Sequence, residues 1–239
     1  VAQRIPTTKI VTKLTIARIA KVNLPIGISQ LQHTALSSAV CATFKLIRSS
    51  SWENGLPAMT IRTLSSREIY RNHWLRLRED QIERNNGTKG IYGVIDKDDC
   101  AVIIPIDGDT IYLVEQFRYT IQQRALELPQ GGWETPEVDP EELARGELRE
   151  ETGLVASSMT YLGTMWIAYG FARQKQHVFL ATGLVHAEID PDPEEHDLVL
   201  HTLSIAQFED KLLDGTIQDV CTLAAWGLYK VWREQRSKS

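Results

Sequence analysis

The chain has 239 residues, 43% of them hydrophobic and 24% charged, with a net charge of −5. That length is ample for one domain with a real core and marginal for two, and no apolar run reaches the ~18 residues of a membrane span. Three widely separated cysteines (Cys41, Cys100 and Cys221) are odd in number and lack metal-ligand spacing. They argue against a disulfide framework and for a reducing, cytoplasmic setting.

Charge divides the chain. Residues 1–58 carry seven basic residues and one acid, Glu53, which leaves a net −11 on residues 59–239. So acidic a body excludes a general nucleic-acid binder, because phosphate contacts need Lys and Arg. The first 58 residues form a basic leader rich in Ser, Thr, Ala and Ile. We expect it to be an upstream extension, since Met59 opens a segment that reads as a complete domain. An organellar transit segment is the second reading, and a small helical DNA-binding head around Thr15–Ser38 is a third.

Strand patterns begin at Trp74. Trp74–Arg78 partly alternates, and Gly90–Ile95 follows a turn at Asn85-Asn86-Gly87. The apolar runs Cys100–Ile106 and Ile111–Val114 flank Asp107-Gly108-Asp109, which predicts a hairpin of buried strands. After Gly131-Gly132 a helix is expected, with Asp139 as N-cap, Pro140 at the first helical position and Gly153 as C-terminal cap. Strands are predicted at Met159–Ile167, His177–Ala181 and Leu198–Leu203, with an acidic, proline-broken loop at Glu188–Glu195. Helices are predicted at Ile205–Leu213 and Asp219–Arg233. Strands and helices without a strict βα repeat predict an α+β fold, a mixed β-sheet packed between helices.

The central helix carries the chemistry. Glu147, Glu150 and Glu151 stand at i, i+3 and i+4, so they share one face, expected to be exposed. Like charges that close repel, and a hard divalent ion such as Mg²⁺ would offset them, its shell completed by water and substrate phosphates. A surface helix of solvated acids would not account for the Gly-Gly loop before the helix and Gly153 after it.

These residues resemble the Nudix box, G-x5-E-x7-R-E-U-x-E-E-x-G-U, where U is a bulky aliphatic residue. Gly131 and Glu137 match its first spacing, and Glu147-Leu148-x-Glu150-Glu151-x-Gly153-Leu154 matches its end. The segment between is one residue longer, and Gly146 stands where the family has arginine. Arg149, three residues on, is a partial substitute on the same face, whereas Arg145 points elsewhere. The flanks Gln116-Phe117-Arg118 and Glu127-Leu128-Pro129-Gln130-Gly131, and the ending Asp214-Gly215-x-Ile217-x-Asp219, are similar to the ADP-ribose and nucleoside-diphosphate-sugar pyrophosphatases.

The resemblance implies a Nudix fold, an α/β/α sandwich, over residues 59–239. It also implies Mg²⁺ (or Mn²⁺) held by the side chains of Glu147, Glu150 and Glu151 and the backbone carbonyl of Gln130. Arg118 would contact the diphosphate, and a general base would come from the loop Asp190–Asp197, with Glu194 and Glu195 the candidates and Asp197 behind them. Trp74 and Tyr92 lie where the subfamily stacks adenine, often across a homodimer interface, while Trp166 and Tyr169 could instead frame the pocket. The expected substrate is a nucleoside diphosphate sugar, ADP-ribose first, cleaved to AMP and ribose 5-phosphate. The rivals are GDP-mannose, another ADP-sugar, a dinucleotide, or a ligand sensor without turnover.

Overall fold

A computed structural model describes residues 61–132, 138–187 and 197–238. The basic leader and the loop carrying Glu194 and Glu195 lie outside the described residues. No described helix is long and apolar enough to cross a membrane.

The apolar run at the centre of the chain forms β4 (Cys100–Asp107), and the turn at Gly108, in the left-handed region at φ 60°, reverses it into β5 (Thr110–Arg118). β4 is buried along almost its whole length because both faces of its sheet are covered. The sheet has seven strands, in the order β11 (Val199–Ser204), β5, β4, β10 (Lys175–His186), β8 (Leu154–Trp166), with β6 (Gln123–Glu127) beside β5 and β7 (Gln130–Gly131) beside β4. β10 runs parallel to β4 and antiparallel to β8, so the sheet is mixed.

Alternate residues of β4 and β10 feed two cores. Ala101, Ile103, Phe179 and Ala181 pack with Leu143, Ala144 and Leu148 of α1 (Pro140–Thr152). On the other face, Val102, Ile104, Val178 and Leu180 pack with Phe208 of α2 (Ile205–Leu213) and Trp226 of α3 (Val220–Arg236). The result is the expected α/β/α sandwich. The predicted caps are present: the Asp139 side chain accepts from the N–H groups of Glu141 and Glu142, and Gly153 (φ 65°) donates to the Arg149 carbonyl. α2 has the predicted bounds, and α3 continues past Arg233 to Arg236.

A second sheet joins β1 (Ile61–Arg71), β2 (Arg76–Arg84), β3 (Lys89–Asp96) and β9 (Ala172–Arg173) in that order. The sequence pattern missed β1. It is exposed along its whole length, and register shifts between Thr63 and Ser65 and between Glu68 and Tyr70 break any alternation. Trp74 also falls outside its predicted strand, because Asn72 Oδ1 accepts from the N–H groups of Trp74 (3.0 Å) and Leu75 (2.9 Å) and turns the chain before β2.

Candidate active site

Two of the three clustered glutamates of α1, Glu147 and Glu151, face inward rather than outward. Glu147 is 6% exposed and Glu151 4%, so the expectation of an exposed face is corrected. Both look toward β7, the two-residue strand that carries the Gly131 backbone. Gln130 donates its N–H to Glu151 Oε2 at 2.9 Å. A Cβ on Gly131 would stand 2.6 Å from Glu147 Cδ, so only glycine leaves room for that carboxylate beside the strand. Glu150 sits about 60° around the helix from Glu147, half-buried at the rim of the same face. The Gly-Gly loop thus creates the space into which the acids of the box project.

Among the described residues, no group of three His, Cys, Asp or Glu side chains forms a ready-made metal cage. Mg²⁺ keeps water ligands and shares its shell with phosphate oxygens rather than filling it from the protein. Two inward carboxylates, a third at the rim and an adjacent backbone kept bare by glycine fit such an ion. Arg149 does not take the place of the absent box arginine. It lies roughly 200° around the helix from Glu147 and lines a small surface depression with Arg145, Gly146 and Ala156. Arg145 points away as expected, donating to Glu141 and to the Ala156 carbonyl.

Beside the cluster runs a polar network that sequence reading only partly located. Arg118, at the end of β5, pairs through Nη2 with Glu127, which is buried at the end of β6. Gln130 Nε2 donates to Glu127 Oε2 (3.1 Å) and Asp219 Oδ2 (3.1 Å), while its Oε1 accepts from Gln176 Nε2 (3.2 Å). Asp219 also caps α3 through the Thr222 N–H (2.8 Å), and Thr222 Oγ1 accepts from the Leu128 N–H (2.9 Å). Glu127 and Asp219 belonged to recognised segments without a role assigned to them. Gln176, one polar residue in a buried strand, carried no local signal.

Burial pushes the Glu127 carboxyl above its usual range, and the Arg118 guanidinium pulls the other way. Burial also pushes the thiols of Cys100 and Cys221 up to about 12, so neither is a nucleophile near neutral pH.

The expected aromatic residues lie on two adjoining depressions. Trp74, 57% exposed, lines the larger with Trp166; Tyr92 lines the smaller with Trp166, Tyr169 and Phe171, its hydroxyl donating to the Gly170 carbonyl at 2.8 Å. Both pairs weighed as pocket walls are therefore neighbours, joined through Trp166. Asp197, next to the loop of Glu194 and Glu195, accepts from the Phe117 N–H (3.1 Å) and Arg124 Nη1 (2.9 Å). Its carboxylate is thereby engaged in tying the end of that loop to the strand bearing Arg118, which makes it a poor base.

Known proteins are similar to this chain. A model of the NUDIX domain matches residues 97–220, and one of the nucleoside diphosphate sugar hydrolase N-terminal domain matches residues 61–95. The chain is 31% identical over 164 residues to an ADP-ribose pyrophosphatase of Mycobacterium tuberculosis, covering 68% of this chain and 79% of that protein. It is 29% identical over 166 residues to a methanol dehydrogenase activator of Bacillus methanolicus, covering 69% and 89%. A crystal structure of an ADP compounds hydrolase superposes with a TM-score of 0.68 at 21% identity, over 78% of this chain and all of that one, a likeness of fold.

Proposed function

This chain belongs to the Nudix hydrolase family, and from that premise we propose that it cleaves the diphosphate of a nucleoside diphosphate sugar, ADP-ribose first, into AMP and ribose 5-phosphate. The observation that carries this reading is the burial of Glu147 and Glu151 against Gln130 and Gly131, beside the Arg118 network. The relative named for ADP-ribose and the match to a nucleoside diphosphate sugar hydrolase domain support the substrate class.

Glu147, Glu150, Glu151 and the Gln130 carbonyl would hold Mg²⁺, or Mn²⁺ in its place; the ion would offset charge on the phosphoryl oxygens and make an attacking water more acidic. Arg118 presents a planar fork of donors, and Glu127 fixes its orientation while leaving donors for a diphosphate oxygen. Gln130 ties that ion pair to β7 and to the cap of α3, so that arginine and glutamates keep one spacing. Glu194 or Glu195 would take the proton of water as its oxygen attacks phosphorus and the bridging P–O bond breaks. Trp74 and Tyr92, or Trp166 and Tyr169 beside them, would stack the base. A second copy would cover the apolar side chains Ile61, Leu64, Ile69 and Ile91 of the outer sheet, which stand exposed, in a cytoplasmic homodimer.

Incubation with Mg²⁺ and a panel of nucleoside diphosphate derivatives tests the reading. AMP and ribose 5-phosphate from ADP-ribose are expected. Preferential cleavage of GDP-mannose or a dinucleotide would move the substrate, and tight binding with no product from any of them would replace the enzyme with a sensor.

A further inference from the structure

A cavity of about 810 Å³ opens beside the carboxylate cluster, within the size range of small-molecule sites. The two are contiguous through the backbone. Gly131 abuts Glu147, and at the next residue a Cβ on Gly132 would stand 3.2 Å from the Asp99 carbonyl oxygen, which belongs to the cavity wall. Trp74 and Trp166, 57% and 48% exposed, are its indole surfaces.

The charges around those indoles exceed what a neutral nucleoside needs. Lys97, Arg173 and Lys175 line the cavity, and among the described residues none of these three side chains has a carboxylate partner. Lys175 Nζ lies 5.4 Å from the centroid of the Trp166 ring, which places its charge at the base-stacking surface. Two of the three acids in the wall already have partners, Asp96 outside the cavity and Asp99 within it. Asp96 Oδ2 accepts from Arg78 Nε at 3.0 Å. Asp99 Oδ1 accepts from the Lys175 N–H at 2.9 Å, with Oδ2 3.7 Å from His177 Nε2. The diphosphate has its own cation in Arg118, on a different strand. On a body of net charge −11, cations gathered around stacking rings mark a place for another anion close to the base.

We propose that this cavity selects a nucleotide bearing a third phosphate, on the ribose hydroxyls next to the stacked base, with Arg173 and Lys97 as its binding residues. The proposal rests on the reading of the Trp74 surface as the base site. It makes the enzyme a hydrolase of ribose-phosphorylated nucleoside diphosphate derivatives in preference to the unmodified ones.

Calorimetric titration of the metal-free protein with AMP, adenosine 2′,5′-bisphosphate and adenosine 3′,5′-bisphosphate tests it without turnover. At least one bisphosphate should bind about tenfold or more tightly than AMP, as charge-assisted hydrogen bonds to a phosphate warrant. The pair Arg173→Gln and Lys97→Gln, both at exposed positions, should abolish that advantage while AMP affinity stays within about twofold. Equal binding of AMP and both bisphosphates, or an advantage that survives in the double variant, overturns the proposal. A protein that binds the bisphosphates as expected yet releases neither AMP from ADP-ribose nor adenosine 2′,5′-bisphosphate from ADP-ribose 2′-phosphate would overturn the hydrolase reading alone.

Discussion

Gly131 sets the position of Glu147, because a methyl group there would occupy the space of that carboxylate. The atoms displaced are the far end of a flexible side chain, so Gly131→Ala should fold normally and misplace one acid. A displacement on the ångström scale costs about 10²-fold in rate; we expect that loss, together with a higher Mg²⁺ requirement, in steady-state assays across a metal titration. Glu151→Gln removes charge while keeping shape, and its amide oxygen can still accept from the Gln130 N–H. Turnover should fall by about 10² or more with an unchanged circular dichroism spectrum; near-normal activity would sink its assignment as a metal ligand. Glu127 supplies a pH test. Burial raises its folded-state pKa above the usual value near 4.5, so the folded protein retains a proton that the unfolded chain has already lost. Stability contributed by the protonated form is complete below about 4.5 and is lost as pH rises toward the raised value. Urea midpoints from pH 4 to 8 should therefore decline less for Glu127→Gln than for the parent; parallel curves would remove Glu127 as the cause.

Elements carry the next level of constraint. α1 was legible end to end, because Asp139, Pro140 and Gly153 act through local backbone geometry that needs no tertiary partner. α3 differs: its cap, Asp219, is shared with Gln130 Nε2 at 3.1 Å, so a helix start and the active-site network depend on one carboxylate. Asp219→Ala should cost about 1–2 kcal/mol in urea denaturation and also weaken substrate affinity, since Gln130 loses a tether. A purely structural cap would show only the first effect. β1 was illegible for the opposite reason to α1. Register shifts and full exposure deprive it of the two-residue periodicity that marks a half-buried strand.

At the scale of the molecule, the elements of the sandwich and the outer sheet all lie between residues 61 and 236, and both family matches fall within residues 61–220. A protein starting at Met59 should therefore match the full chain in melting temperature and in AMP release; loss of either would give residues 1–58 a structural part. The concentration of cations at one cavity of an acidic body is also a whole-molecule property. Lys97 follows β3, Arg173 is in β9 and Lys175 opens β10, and only the pairing of β3 with β9 and the placement of β10 beside β4 bring them around Trp166.

The sequence alone determined the family and the central helix, since both rest on spacings of a few residues: three glutamates within five positions, a glycine pair before them, caps at either end. It also determined the layered core, through the continuous apolar run of β4. The tertiary structure decided which way the glutamates face, placing Glu147 and Glu151 against β7 instead of in solvent. It decided that Arg149 lies on the opposite side of the helix, and that Gln176, Glu127 and Asp219 meet at Gln130. Those facts depend on contacts between residues as many as 89 positions apart, and no local periodicity encodes a distance of that kind. The physical division is between backbone preferences, which act within a turn or a strand, and burial, which assigns partners only once the sheet has assembled.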